Sequence, residues 1–291
     1  MKKKNNILIV GCGNMGSAHI KSFLNKDNIN LYLYDKSKIK LDSFKKIKNI
    51  HVLNNLKLKT NFHFCIISTN SSQRFSLFKK LILQKKIQIF LLEKFMFLIK
   101  NHYINVKNYF DVKKIYNNVW GKYLHKEASK FNLKSYHSVQ IFIEEGHLLT
   151  NLIHFMNFFS YYQKYSKILE LNLKLFKFKK QDELKGNLIL QYSKQNVIYQ
   201  TKKINNIFEM YFKTNNHKKS LKIILKKNLN LFFYQNSKLL KITKFPLASF
   251  FSYKIFKKNS LAPSFNEILD DNLNILDFVK TLSKKKKIII R

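Results

Sequence analysis

Proline is nearly missing from these 291 residues: there are two, alongside two cysteines, four alanines, six glycines, two arginines and one tryptophan. The two cysteines, Cys12 and Cys65, sit in apolar, strand-like stretches with no ligand spacing. That excludes a disulfide framework and a thiolate metal site, and it implies two buried thiols in a reducing compartment. The histidines are scattered, with His147 and His154 seven apart and no carboxylate cluster nearby, so no metal is expected. No Gly-x-Ser-x-Gly elbow or Cys–His nucleophile pattern occurs. No apolar run approaches the ~18 residues of a membrane span. The start, "MKKKNNILIVGCG", has too short an apolar stretch for a signal peptide. The terminal "KKKKIIIR" reads as a frayed tail. The expectation is a cytoplasmic protein with no membrane partner.

Acidic residues are also scarce, 16 against 55 basic ones, for a formal net charge of +39. Such a charge invites a polyanion-binding reading. Arginine, the side chain that reads guanine and clamps phosphate with a planar fork, is however confined to Arg74 and Arg291. Residues with A/T-rich codons (Lys, Asn, Ile, Phe, Tyr) have displaced those with G/C-rich codons throughout. A base-composition bias explains this better than selection for nucleic acid, and the lysines are scattered rather than gathered in a stripe. A dedicated polyanion binder stays as a remote alternative.

What is present has a clear order. Apolar residues make up 45% of the chain, enough for substantial cores, and the length suits two domains. In the first third, short apolar runs alternate with helix-like segments: "ILIV" (7–10), a helix over 14–25, "LYLYD" (31–35), "IHVL" (50–53), "FHFCIIS" (62–68), a helix over 72–86 and "IQIFLLE" (87–93). This predicts a doubly wound parallel sheet of Rossmann type over residues 1–118. From 119 to 291 the pattern changes to an α+β domain. It has a helix over 121–133, a strand over 135–143, a long apolar helix over 147–165, and then strand after strand to about 243. These last imply an open, mainly antiparallel sheet, with a turn expected at Gly186. Pro263 and Ser264 precede Glu267 at capping-box spacing and open a final helix over 265–283.

Three of the six glycines, Gly11, Gly13 and Gly16, fall within six residues, directly after the first strand. In that context Gly-x-Gly-x-x-Gly permits a tight turn at Gly11, close approach of a pyrophosphate at Gly13 and helix–strand packing at Gly16. The helix N-terminus at Asn14 and Met15 faces the negative charge. Asp35 ends the second strand, 19 residues after Gly16, where a carboxylate can accept ribose hydroxyls. The plain alternative is an ordinary strand–helix turn with a surface aspartate. NAD is the expected cofactor, because Asp35 would repel a 2′-phosphate; Lys36 and Lys38 follow and leave NADP open.

With these residues in place, three stretches resemble the glucose–fructose oxidoreductase, inositol dehydrogenase and rhizopine catabolism (Gfo/Idh/MocA) family of NAD(P)-dependent sugar oxidoreductases. They are "GCGNMGSAHIKSF" (11–23), "CIISTNSSQRFSLFKKLI" (65–82) and "IFLLEKF" (89–95), the last similar to the family's Glu-Lys-Pro motif. A fourth, "GHLLTNLIHFMNFFSYY" (146–162), resembles the helix carrying the family's active-site histidine, in a form similar to members of surface-polysaccharide synthesis. The resemblance implies hydride transfer to or from a carbon of a sugar, sugar nucleotide or cyclitol. It implies Ser68, Thr69 and Asn70 over the nicotinamide ribose, and Glu93 on the cofactor side. Lys94 would contact substrate and nicotinamide, His154 would act as proton relay, and Asn151, one turn earlier, would bind a substrate hydroxyl. A lysine at a strand end beside a crevice is also where partial desolvation lowers an amine's pKa. The plain alternatives are a surface lysine and a packed helix histidine. The resemblance further implies a homodimer or homotetramer through the open sheet.

Several positions depart from the family pattern. Phe95 replaces the motif's proline, Arg74 a common histidine, Thr150 and Asn157 common aspartates, and Glu144 and Glu145 small residues. Two rivals therefore stay open: a cofactor-binding homologue without turnover, and a redox-neutral glycosidase that uses NAD transiently.

Overall fold

Four-residue apolar runs build the first sheet in the computed structural model, which describes residues 4–178, 181–193, 195–215, 218–246 and 251–283. The elements run β1 (Asn5–Val10), α1 (Asn14–Phe23), β2 (Ile29–Tyr34), α2 (Lys38–Asp42), β3 (Ile50–Val52), β4 (Phe64–Ile67), α3 (Ser71–Ile82), β5 (Phe90–Glu93), α4 (Lys100–Tyr109) and β6 (Ile115–Asn118). All neighbours pair in parallel, in the order β3-β2-β1-β4-β5-β6. Ile7 to Val10 and Phe64 to Ile67 are wholly buried, as strands covered on both faces must be. Each such side chain contributes on the order of 2 kcal/mol by leaving water. Strand order reverses between β1 and β4, the point where open α/β sheets place a crevice at the strands' C-terminal ends.

The chain continues through α5 (Gly121–Ala128), β7 (Ser138–Glu144), α6 (Leu148–Ser160), β8 (Tyr165–Phe178), β9 (Gln181–Tyr192), β10 (Asn196–Lys202), β11 (Asn206–Lys213), β12 (Ser220–Lys226), β13 (Asn230–Gln235), β14 (Lys238–Lys244), α7 (Ser252–Lys257) and α8 (Phe265–Ser283). The second sheet has the order β14-β13-β12-β11-β7-β10-β9-β8 and is antiparallel except for the β7–β10 pair. One face packs on α6, where Phe155 meets Tyr199 and Phe208, and Phe159 meets Tyr192. Ten residues of α6 are buried, which accounts for its apolar, aromatic composition. The architecture is thus a doubly wound parallel sheet followed by an α+β part with a mainly antiparallel sheet.

Two expectations change. Gly186 makes no turn: it lies within β9, opposite Leu173, at φ +131°, where a Cβ would overlap the carbonyl oxygen of Asn172. Glycine is needed there for close strand approach. The contiguous division at 118 also changes. The chain forms two units, and the first combines the residues up to Val119 with Phe251 to Phe278, while the second runs from Trp120 through β14. The C-terminal segment returns because its side chains complete the first core. Tyr103 donates to Asn272, the Asn117 amide N–H donates to the Pro263 carbonyl, and the Ser252 hydroxyl lies 2.6 Å from His19 Nδ1. Ser264 and Glu267 close the expected capping box, with the Ser264 N–H and hydroxyl both donating to Glu267 Oε2 at 2.8 Å.

Candidate functional site

The three clustered glycines meet different surroundings. Gly11 has φ +93°, and a Cβ on it would lie 2.9 Å from Thr69. A Cβ on Gly16 would overlap the Gly11 carbonyl oxygen, so glycine there lets α1 lie against the turn. Gly13 faces open space, with only the Lys40 amine 3.9 Å from the position of a Cβ. The turn is held from three sides. The Gly11 N–H donates to the Tyr34 carbonyl at 2.8 Å, the Ser68 hydroxyl to the Gly11 carbonyl at 2.7 Å, and the Cys12 N–H to Asp35 Oδ2 at 2.7 Å. No side chain caps α1, so the first-turn N–H groups at Asn14, Met15 and Gly16 keep their donor capacity.

A cavity of about 290 Å³ opens over this turn. Its wall includes Gly11, Gly13, Asp35, Ser68, Thr69 and Asn70, so the structure gathers these expected residues around one space; Lys36, Ser37 and Lys40 join them. Lys38 does not line it. Thr69 Oγ1 is buried without a hydrogen-bond partner among the described residues. The open side of Gly13, the uncapped helix and this orphaned hydroxyl fit a dinucleotide's pyrophosphate and ribose. Asn14 and Met15 are exposed at the start of α1. Burial, aided by the Asp35 charge, pushes the Cys12 thiol up to about 12, so it stays protonated and unreactive.

Glu93 is elsewhere. Its carboxylate, 5% exposed, is not part of the cavity wall. Oε1 lies 2.7 Å from His19 Nε2 and accepts from Asn118 Nδ2 at 2.5 Å, while His19 Nδ1 reaches Ser252 Oγ. Burial alone would raise its pKa. The hydrogen bond and charge of His19, the Asn118 amide and the Arg74 charge outweigh that and bring it down to about 2. The side chain expected on the cofactor side is thus an interior anion locking β5 to α1 and β6.

The residue that the sequence marked only as a departure, Arg74, organises the strand end. Nη1 donates to the carbonyls of Glu93, Lys94 and Phe95 at 2.9, 3.0 and 2.6 Å, and Nη2 to that of Thr69 at 2.5 Å. Burial lowers its pKa to about 10, with Glu93 opposing, so it stays charged at neutral pH. Phe95 adopts φ +52°, a left-handed conformation closed to proline. Lys94 is half-buried and directly follows β5. The backbone that carries it is therefore built differently from a Lys-Pro turn. Being one of only two arginines was the signal available for Arg74.

His154 and Asn151 belong to the second unit. The Trp120 N–H donates to His154 Nδ1 at 3.3 Å, and the two rings stack at 4.5 Å and 17°. A backbone amide can only donate, so Nδ1 is unprotonated and the neutral ring carries its proton on Nε2. Asn151 Nδ2 turns back to the His147 carbonyl at 2.9 Å. Gly121 brings α5 against α6, since a Cβ there would overlap the His154 carbonyl. Among the described residues no group of three or more His, Cys, Asp or Glu is placed to hold a metal, and no helix is long and apolar enough to cross a membrane.

No family model and no curated protein matches the sequence. Solved structures do match in fold. A myo-inositol dehydrogenase of Corynebacterium glutamicum has a TM-score of 0.68 at 10% identity, over 96% of each chain. A UDP-N-acetylglucosamine 3-dehydrogenase of Acidithiobacillus ferrooxidans has a TM-score of 0.68 at 9% identity, over 97% of each. A dehydrogenase of Clostridium difficile has a TM-score of 0.67 at 11% identity, over 96% of this chain and all of the other. The chain shares the fold of these dehydrogenases over nearly its full length.

Proposed function

We propose that the protein is an NAD(P)-dependent oxidoreductase acting on a CH–OH carbon of a sugar, sugar nucleotide or cyclitol. The observation that carries this reading is the glycine turn: Gly13 leaves an open approach to an uncapped helix, beside a carboxylate at the end of β2. A nicotinamide nucleotide bound there supplies or accepts the hydride. The chain's own residues do the rest. The α1 N–H groups hold the pyrophosphate, and Ser68, Thr69 and Asn70 contact the sugar beyond it. Lys94 exchanges a proton, or donates a hydrogen bond, at the reacting oxygen. In the second unit His154 keeps its Nδ1 on the Trp120 N–H, so the proton of the neutral ring sits on Nε2. The substrate class is supported by the names of two fold neighbours, a cyclitol and a sugar-nucleotide dehydrogenase. A basic surface would steer anionic sugar nucleotides. The outer face of the second sheet, with its cleft at Tyr211, Lys222, Ile224 and Tyr234, is the face through which a homodimer or homotetramer would form.

The test is titration of purified protein with NADH, followed by a panel of sugars, sugar nucleotides and cyclitols. Binding, and turnover on a panel member that Lys94→Ala abolishes, is the expected result. Binding without turnover on any of them supports the second reading, a cofactor-binding protein that has lost catalysis. The left-handed Phe95 and the committed Nδ1 of His154 favour that second reading. No affinity for either form of the nucleotide removes both.

A further inference from the structure

Asp35 at the end of β2 is the residue whose charge argues against a 2′-phosphate, yet its carboxylate is already engaged. Oδ2 accepts the Cys12 N–H at 2.7 Å and Oδ1 accepts the Ser37 N–H at 2.8 Å. Its side chain is only 10% exposed. The Lys40 ammonium stands 3.9 Å from Oδ2 and is itself half-exposed, at 51%. The same amine is 3.9 Å from where a Gly13 Cβ would be, so it spans the gap between glycine turn and carboxylate, the place of the adenosine ribose. Lys36 and Ser37 line the same cavity, and the Ser37 hydroxyl is not spent on capping α2. A ribose 2′-substituent entering there meets an ammonium, a hydroxyl and a second lysine before it meets a bare anion. Phosphate is recognised by such a point charge together with neutral donors.

We infer that this cleft accepts the 2′-phosphorylated dinucleotide as well as NAD(H), and that Lys40 is the specificity-determining residue. The inference rests on the dinucleotide reading above. It moves the compensating charge from Lys38, which lies outside the cavity wall, to Lys40. Lys40 neutralises Asp35 when the 2′-position carries a hydroxyl and pairs with the phosphate when it carries one.

The experiment is fluorescence titration of the full chain with NADH and with NADPH, in wild type, Lys40→Ala, Lys40→Arg and Lys38→Ala. Wild type is expected to bind NADPH within about tenfold of NADH. Lys40→Ala should weaken NADPH by about tenfold or more while changing NADH less than about threefold, and Lys40→Arg and Lys38→Ala should leave the ratio near wild type. Raising salt from about 50 to about 300 mM should narrow the gap between wild type and Lys40→Ala for NADPH only, as expected of a half-exposed charge. Wild type that binds NADH but discriminates against NADPH by about a hundredfold or more overturns the inference and leaves the dinucleotide reading standing. So does an Lys40→Ala variant that weakens both nucleotides equally. Protein that binds neither nucleotide removes the dinucleotide reading itself, and the inference with it.

Discussion

Arg74 donates to the carbonyl of Phe95 at 2.6 Å, and Phe95 holds a left-handed backbone at φ +52°. The two facts belong together. A bulky residue in that region costs roughly 1–2 kcal/mol and persists only where its surroundings over-determine it. The guanidinium supplies that determination by collecting three successive carbonyls, of residues 93 to 95, and tying them to Thr69. Lysine, with one nitrogen, cannot span this set. Arg74→Lys should destabilise the fold by roughly 2–4 kcal/mol, because buried carbonyls lose a charged donor. Phe95→Pro, which restores the family's residue, should do no better and cost about 3 kcal/mol or more, since proline fixes φ near −65°. Urea denaturation of both variants checks this, and a neutral Phe95→Pro would show that the turn relaxes without its left-handed residue.

The buried carboxylate of Glu93 makes a pH-dependent contribution whose sign follows from its depressed pKa of about 2. An unfolded glutamate titrates near 4.3. The native state therefore binds the proton less readily, and the contribution is complete above about pH 4.5 and fades as pH falls toward about 2. Glu93→Gln removes the titration while keeping the shape. The reference is the stability difference between the two proteins at about pH 5. Below that it should move against the wild type, by about 2 kcal/mol at about pH 3 out of about 3 kcal/mol for the whole shift. Parallel denaturation series between pH 7 and 3 measure it, and parallel curves throughout would mean that His19 and Asn118 do not hold an anion.

The parts of the fold that local chemistry decides were legible in the sequence. The strand, glycine turn and helix from Asn5 to Phe23 follow from an apolar run, the spacing of Gly11, Gly13 and Gly16, and little else. The last helix was bounded by Ser264 and Glu267. Helix α4, "KNHYINVKNY", was not legible because it buries only Tyr103 and Val106 and shows no apolar stripe. The return of residues 251–278 to the first unit, the left-handed Phe95 and the close approach at Gly186 all depend on partners distant in the chain. No local pattern encodes Asn272 beneath Tyr103, or Asn172 beside Gly186. Within the candidate site the cradle was legible and the clamp was not. Glycines announce backbone geometry, whereas Arg74, His19 and Lys40 gain their roles only once β5, β2 and the turn are brought together.

His154 should be found as the Nε2–H tautomer. Its Nδ1 receives the Trp120 N–H, and a second proton there would face that donor. Long-range ¹H–¹⁵N correlation on histidine-labelled protein at about pH 8, where a free imidazole is neutral, reads the tautomer directly. One unprotonated Nδ1 that disappears in His154→Gln is the expected result. A protonated Nδ1 would mean that the ring does not accept the Trp120 N–H. Loss of the acceptor altogether, in His154→Phe, should cost roughly 1–3 kcal/mol for an unsatisfied backbone N–H.

Alanine at each glycine of the turn should separate folding from binding. At Gly16 the new methyl overlaps the Gly11 carbonyl, and at Gly11 it meets Thr69 at 2.9 Å on a backbone with φ +93°, so both variants should lose roughly 2–4 kcal/mol or fail to fold. At Gly13 the methyl enters open space, with nothing nearer than a flexible lysine amine at 3.9 Å. Gly13→Ala should therefore keep wild-type stability within about 0.5 kcal/mol, because an unstrained surface position responds little. It should nevertheless lose NADH affinity by about tenfold or more, since the methyl fills the space through which a pyrophosphate reaches the α1 N–H groups. Thermal unfolding and nucleotide titration on the same preparations give both readouts. A Gly13→Ala protein that is stable and binds nucleotide as the wild type does would mean that the open side of this turn faces solvent and not a phosphate.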